Sequence, residues 1–285
     1  KTWVGAATGT WATGSNWSGG TAPISTDIVS IGAGVTVTSS GTVTIAGLFG
    51  LGSLTVSAGT FTTTGVSALD GTLTVSGGTF TANAATSLNN LVLSSGTLTG
   101  TGAVTLTGSG SIWSDGTMSV GTGTTQVASG GTLTVSGTGA KFLQRNLMNT
   151  GTVALATGMA NFTMGGTGVG IIALTNQVGG VVDLQGAVSI AANTGTLSLV
   201  NEGLLTKSGG AGTTGTINVA VTNSGTGTVE VQTGTLDFNS TVSNSGTMRV
   251  FAGATLPIDT AWTQQTGGTY TGVGLYTLPG AGTLT

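Results

Sequence analysis

The chain has 285 residues, 54 of them glycine and 3 proline; charged residues make up 5% and the net charge is −3. It has no cysteine and no histidine, which excludes disulfides and thiolate–metal sites and removes the commonest general base. Five basic residues against eight acidic ones cannot provide the basic patch that nucleic-acid binding needs. The hydrophobic fraction of 38% argues against disorder, since an apolar face is available for burial.

Residues 1–23 differ from the rest because they hold three of the five tryptophans, Trp3, Trp11 and Trp17. The rest of the chain has the strand repeat of a β-solenoid, and the end of a solenoid exposes its core and its unpaired strand edges, which need a cover. We therefore expect residues 1–23 to form an N-terminal cap or a joint. The alternative is an aromatic platform on which sugar rings stack.

Two related stretches define the repeat, residues 52–63 (GSLTVSAGTFTT) and residues 71–82 (GTLTVSGGTFTA). Leu54 and Val56 alternate with hydroxyl side chains, which is the period of a half-buried strand. Short strands with glycine corners and a period of roughly 20 residues predict a β-solenoid, in which each coil buries its apolar face on its neighbours. Residues 24–252 are assigned to this solenoid.

The period predicts columns of stacked side chains. The first column is Leu54, Leu73, Leu91, Ile112, Leu133 and Val153, and the second is Phe61, Phe80, Leu98 and Met118. At roughly 20 residues per coil and about 4.8 Å between strands, the chain would make about 13 or 14 coils and a rod roughly 65 Å long.

Residues 138–180 are less regular, and the segment 141–149 (KFLQRNLMN) has a helix-like composition with two of the five basic residues. We expect an irregular coil or a short insertion there. From residue 181 the strand pattern resumes. Residues 253–285 contain Trp262, Tyr270 and Tyr276 and are expected to form a C-terminal cap or joint.

A second marker appears in the later half, where asparagine recurs just before a strand. The motifs begin at Asn149, Asn201, Asn223 and Asn244, and Asn176 is a looser fifth example. Asparagine tolerates left-handed backbone geometry in turns. Stacked coils would place these amides in a ladder, each side chain bonding to the next. This predicts a structural turn ladder.

The opening segments, WVGAATGTWATGSNWSGGTAP and DIVSIGAGVTVT, together with the later G-T-L-T-V strands, resemble large bacterial surface proteins. The repeats look like the autotransporter-associated β-strand repeat and the filamentous-haemagglutinin-like β-helix. The resemblance implies an all-β, right-handed parallel β-helix, secretion and a role at the cell surface. The chain starts at Lys1 without a signal peptide, so we expect a mature form or a fragment of a secreted protein.

The acidic residues do not form a catalytic constellation in the sequence. Glu230, Asp237 and Arg249 form the best cluster, and the spacing of Glu230 and Arg249 is that of one predicted coil. Glu230 and Arg249 are predicted to stack as an outward ion pair. Polysaccharide hydrolysis would need two carboxylates facing one cleft, and no such pair is selected. We expect no enzymatic activity, no cofactor and no metal.

Threonine recurs as T-x-T, as in Thr72 and Thr74. Ranks of threonine on a β-helix resemble ice-binding proteins, although threonine is also an ordinary exposed strand residue. The predicted function is that of a non-enzymatic extracellular structural protein, a segment of a surface fibre or adhesin. The expected partners are further copies joined head to tail, other surface components or glycans, without membrane insertion. A glycan- or surface-binding adhesin module, an ice-binding protein and a polysaccharide-degrading β-helix enzyme are the alternatives.

Overall fold

The computed structural model describes residues 1–258 and 261–277, and these form an all-β parallel solenoid of about 12 coils of roughly 21 residues. This confirms the predicted fold class. The coils are fewer than predicted because the first part of the chain belongs to a cap and several coils are longer than the predicted period. At about 4.8 Å per coil the rod is about 58 Å long.

The described residues form one short 3₁₀ helix, Gly14–Asn16, and 35 strands. No helix among them is long and apolar enough to span a membrane. The strands are β1 Thr8–Thr10, β2 Ile28–Ser30, β3 Thr36–Ser39, β4 Val43–Ile45, β5 Gly47–Gly50, β6 Ser53–Val56, β7 Thr60–Thr63, β8 Ser67–Val75, β9 Thr79–Ala82, β10 Thr86–Leu93, β11 Thr97–Thr99, β12 Val104–Leu106, β13 Ser111–Trp113, β14 Gly116–Met118, β15 Thr125–Val127, β16 Thr132–Val135, β17 Lys141–Leu143, β18 Leu147–Asn149, β19 Thr152–Leu155, β20 Phe162–Met164, β21 Ile171–Asn176, β22 Val181–Leu184, β23 Ser189–Ala192, β24 Thr196–Asn201, β25 Leu204–Lys207, β26 Thr214–Ile217, β27 Ala220–Asn223, β28 Thr228–Val231, β29 Thr235–Phe238, β30 Val242–Asn244, β31 Thr247–Val250, β32 Thr255–Pro257, β33 Trp262–Gln264, β34 Thr269–Gly272 and β35 Leu275–Thr277.

Each coil contributes a strand to three parallel ladders, which form the faces of the rod. Ladder 1 runs from β2 through β5, β12 and every third strand to β33, and ladder 2 runs from β1 through β3, β6 and β13 to β34. The long strands β8 and β10 bend around the corner and belong to both of these ladders. Ladder 3 has 12 strands, from β4 to β35.

The interior is one continuous apolar core, because each strand turns every second side chain inward. Phe61, Phe80, Leu98 and Met118 are aligned in adjacent strands of ladder 3 and all are buried, as the second predicted column requires. In the first column, Leu54 aligns with Leu73 and Leu133 aligns with Val153.

The prediction for Ile112 is wrong. Ser111 aligns with the inward Leu133, while Ile112 aligns with Val92 and is 40% exposed. Trp113 is completely buried and takes the inward position of this short strand. Because inward and outward positions alternate, Ser111 also faces inward and Ile112 faces solvent.

The segment 141–149 is not helical, since it forms the strands β17 and β18 in ladders 3 and 1. The ladders continue through residues 138–180 without interruption: β18 pairs with β21 and β19 pairs with β22. The coil that separates Asn149 from Asn176 is long, at 27 residues.

Glycine corners let the coils stack closely. A Cβ atom on Gly71 would lie 2.0 Å from the carbonyl oxygen of Gly52 in the coil before it. The corner of the repeat therefore requires glycine at this position.

Candidate functional site

The three tryptophans of residues 1–23 close one end of the rod. Trp3, Trp11 and Trp17 are 6%, 3% and 1% exposed. Their rings contact one another edge-on or tilted, and the ring of Trp11 meets that of Phe61 with 4.7 Å between centroids. The indole N–H of Trp17 donates to the carbonyl of Trp11. These rings are core residues, so they leave no free face for a sugar ring.

The predicted asparagines lie in one interior column that crosses six coils. The side-chain Nδ2 of each donates to the amide oxygen of the next, at 2.7–3.0 Å, from Asn149 through Asn176, Asn201, Asn223 and Asn244 to Gln264. The five asparagines have no exposed surface. We call this column the amide ladder. Gln264, its last member, carries no turn motif, so the recurrence of that motif in the sequence does not predict it.

The amide ladder replaces an aliphatic column at the same position of ladder 1. Leu69, Leu88, Leu106 and Val127 occupy it in the preceding coils, and Val127 is aligned with Asn149. The first amide oxygen, that of Asn149, accepts a hydrogen bond from the backbone N–H of Gly151 instead. The ladder thus begins where a backbone donor is available.

The geometry of the asparagines differs from the expected turn. Each is the last residue of a ladder 1 strand, and within residues 1–258 and 261–277 every residue with a positive φ is glycine. The second N–H of the amide also donates to a backbone carbonyl, for example from Asn201 to Thr228. The asparagines therefore bind the coils from inside extended strands and do not shape the turn through left-handed backbone.

Glycine is also required beside the amide ladder, because a side chain there would collide with the ladder. A Cβ on Gly227 would lie 2.2 Å from the carbonyl oxygen of Asn201 and 2.4 Å from the amide oxygen of Asn223. In the Asn223 motif this role belongs to Gly227. A Cβ on Gly225, the glycine of the sequence motif, would meet nothing closer than 3.9 Å.

Glu230 and Arg249 occupy aligned positions in β28 and β31. The guanidinium lies 3.4 Å from the carboxylate, and the Glu230 and Arg249 side chains are 15% and 51% exposed. The amide of Gln232 donates to the other carboxylate oxygen, and Arg249 lies over the ring of Phe251. Asp237 lies in β29 of ladder 3, on another face of the rod. The three residues of the sequence cluster are therefore not brought together.

The structure buries three of the five basic residues, which the sequence did not reveal. Lys141, Arg145 and Lys207 have at most 1% exposure. The Lys141 ammonium lies within 3.4 Å of the carbonyls of Ser114, Ser136, Gly137 and Gly139. Burial lowers the pKa of Lys141, and Asp115 partly offsets this. The Lys141 ammonium is therefore bound by backbone carbonyls. Because every residue has a carbonyl, the sequence pattern does not predict that this lysine is buried.

Arg145 donates from Nη2 to the carbonyls of Gly102 and Thr124, and burial lowers its pKa to about 10. Lys207 donates to the Gly209 carbonyl and to the Thr213 hydroxyl. Burial lowers its pKa as well, with a smaller opposing effect of Asp183. These cations hold corners of the coils.

The T-x-T pairs form ordered rows on two faces. On ladder 3, Thr44, Thr62, Thr81 and Thr99 make one row, and Thr60, Thr79, Thr97 and Thr117 make a second. On ladder 2, one row consists of Thr10, Thr38, Thr55 and Thr74. No charged residue interrupts the two ladder 3 rows.

A surface groove of about 340 Å³ is lined by residues 178–181, 202–204, Thr226, Thr228 and Glu230. Its only titratable side chains are the carboxylates of Glu202 and Glu230, and Glu230 is held by Arg249. No group of three or more potential metal ligands occurs among the residues that the structure describes. Asp259 lies outside the described residues.

Together the continuous core, the three ladders and the amide ladder define a parallel β-solenoid with a tryptophan cap at one end. Comparisons with protein-family models, with curated proteins and with solved structures found no match to this chain.

Proposed function

We propose that this chain is a non-enzymatic extracellular structural rod, a segment of a cell-surface fibre or adhesin. The observation that carries the proposal is the amide ladder, whose hydrogen bonds run from coil to coil along the rod. A chain of buried hydrogen bonds in this direction resists separation of the coils, because each broken bond leaves an amide without a partner in the apolar interior. That property suits a part that transmits force or maintains distance.

The extracellular assignment is supported by the repeat pattern, which resembles autotransporter-associated β-strand repeats and filamentous-haemagglutinin-like β-helices. It is also supported by the scarcity of charge, since 5% charged residues leave little repulsion between neighbouring rods. The capped tryptophan end and the opposite end of the rod are chemically unlike, and contact between unlike ends generates open filaments.

Immunogold labelling of intact cells that produce the protein, with an antibody against the rod, tests the location. Label on unpermeabilised cells, on fibres or on an outer layer, is the expected result. Label seen only after permeabilisation would contradict an extracellular role, whatever the assembly state of the purified chain.

A glycan-binding adhesin module is the alternative within the same class. The tryptophans are buried, so such binding would have to use the hydroxyl-rich faces of the rod. Binding of the purified chain to a glycan array, lost on replacement of outward threonines and not on replacement of Trp3, would favour this alternative.

Ice binding is a second candidate, favoured by the two charge-free threonine rows of ladder 3. Their hydroxyls and methyls repeat at about 4.8 Å between strands and about 6.6 Å along each strand. Such a regular array is what binding to the regular lattice of ice needs. Thermal hysteresis of the purified chain tests it. The double substitution Thr62→Asp and Thr81→Asp should abolish the hysteresis, while Thr222→Asp, at an exposed position on ladder 1, should not.

A further inference from the structure

Among the described residues, ladder 3 lacks a strand at the capped end of the rod. Ladders 1 and 2 are covered there: Thr2 pairs with Ser30 of β2, and β1 pairs with β3. In ladder 3 the first strand is β4, which pairs with β7 on one side only. After Trp11 the cap chain turns away and does not continue into this ladder.

The missing strand leaves a groove of about 490 Å³ beside β4. Its walls are formed by Trp11, Ala12, residues 22–25 and residues 38–44, and it contains no charged side chain. Val43 points inward yet is only half-buried, whereas its neighbour Phe61 in β7 has no exposure. The hydroxyl of Ser39, a residue 1% exposed, has no hydrogen-bond partner among the described residues.

The backbone of β4 presents hydrogen-bonding groups to this groove. Thr64 donates its N–H to the Ile45 carbonyl, so Ile45 bonds toward β7. Neighbouring residues of a strand bond to opposite sides, so the N–H and C=O of Thr44 point into the groove. Ala46, two positions later, donates on that same side to the carbonyl of Asp27, just before β2. The groove thus has the requirements of a strand-addition site: an unpaired edge and an inward apolar position.

The sequence of this chain contains a segment that fits. The first four strands of ladder 3 share the pattern Gly-Thr-apolar-Thr, at residues 41–44, 59–62, 78–81 and 96–99. Residues 282–285 read G-T-L-T, identical to residues 96–99. They follow β35, the last described strand of ladder 3, after residues 278–281. In this pattern the apolar residue faces inward, as Leu98 does.

We propose that residues 278–285 of one copy supply the missing ladder 3 strand of the next copy, with Leu284 beside Val43. A chain cannot fill its own groove, because the length of the ladder separates β4 from β35. That length is roughly 50 Å, and the segment extends at most about 29 Å. The occupant is therefore a second copy, and repetition of the contact gives a head-to-tail filament. This inference deepens the proposed structural role and rests on it.

Sedimentation velocity over a concentration series, with electron microscopy, tests the joint. The full chain should form head-to-tail oligomers, and a chain that ends at Thr277 should stay monomeric. A peptide of residues 277–285 should bind the shortened chain and suppress assembly of the full chain. Oligomers formed equally well by the shortened chain would overturn the inference, as would a full chain that remains monomeric at the highest concentration.

Two pairs of point variants distinguish the joint from a general loss of folding. Thr44→Pro removes the edge N–H without touching the bonds to β7, and should weaken peptide binding at least tenfold, while Thr44→Val keeps the N–H and should bind normally. In the full chain, Leu284→Asp should prevent assembly and Thr283→Val should not. Unchanged circular dichroism and melting temperature confirm that the rods are intact. Equal binding by Thr44→Pro and Thr44→Val contradicts the inference while leaving the extracellular location, which immunogold tests separately, unaffected.

Discussion

The side-chain amide of Asn201 donates a 2.7 Å hydrogen bond to the amide oxygen of Asn223 in the next coil, and neither residue has any exposed surface. Asn201 at the same time accepts from Asn176 and donates to the Thr228 carbonyl. A residue in the middle of the amide ladder thus satisfies groups in the coils on both sides. Its removal affects three polar partners and not one.

Asn201→Ala should lower the free energy of unfolding by about 2–4 kcal/mol, because it leaves several buried polar groups without a partner. Urea denaturation followed by circular dichroism measures this. Thr222→Ala, at an exposed position of the adjacent coil, is the control and should change stability by less than about 0.5 kcal/mol. A loss under about 1 kcal/mol for Asn201→Ala would contradict the ladder's structural role.

The ladder should be extendable by one coil. Val127→Asn places an amide beside Asn149, whose side-chain oxygen can accept it, whereas Leu106→Asn places one between Leu88 and Val127. Relative to alanine at the same position, asparagine should be better tolerated at 127 than at 106 by about 1–2 kcal/mol. Equal costs at both sites would contradict this prediction, because they would show that the amide of Asn149 does not stabilise an asparagine at position 127.

The tryptophan cap should protect the first coils and little else. Trp17→Ala removes a side chain that is 1% exposed and should cost about 3–5 kcal/mol of local stability. Hydrogen exchange should accelerate in β1–β4 and remain slow in β24–β30, because coils of a solenoid contact only their neighbours. Val4→Ala, at a cap residue that is 61% exposed, is the control. Acceleration along the whole rod would contradict a local cap.

The buried Lys207 makes stability depend on pH. Its pKa is lowered in the folded state, so between the folded and the unfolded pKa the unfolded chain binds more protons and the stability of the folded chain rises with pH. The stability of the wild type relative to Lys207→Met should therefore rise between pH 7 and pH 10.5, by about 1.4 kcal/mol for each unit by which the pKa is lowered. Urea unfolding of both proteins across this range measures the difference, and a difference that does not vary with pH contradicts it.

The ion pair of Glu230 and Arg249 should contribute little, since Arg249 is half exposed. A double-mutant cycle with Glu230→Gln and Arg249→Gln should give a coupling energy of about 0.2–1 kcal/mol that decreases in high salt. A coupling above about 2 kcal/mol, insensitive to salt, would point to a role beyond the surface.

The sequence alone determined the solenoid, its approximate repeat period, the phenylalanine column and the membership of the asparagines in one column. These are properties of spacing: a period of two along a strand and a constant step between coils are both visible in a one-dimensional string. The pairing of Glu230 with Arg249 follows from the same arithmetic.

Only the tertiary structure decided which residue of a short strand faces inward, as for Ser111 and Ile112, because a one-residue shift exchanges the faces and the size of Trp113 settles the choice. It also decided that Lys141, Arg145 and Lys207 are buried, since each donates to backbone carbonyls, which every sequence contains and no residue pattern marks. The absent strand beside β4 belongs to the same group. A missing strand leaves no residue pattern in the sequence. It is recognised only when the path of the cap is compared with that of the first coil.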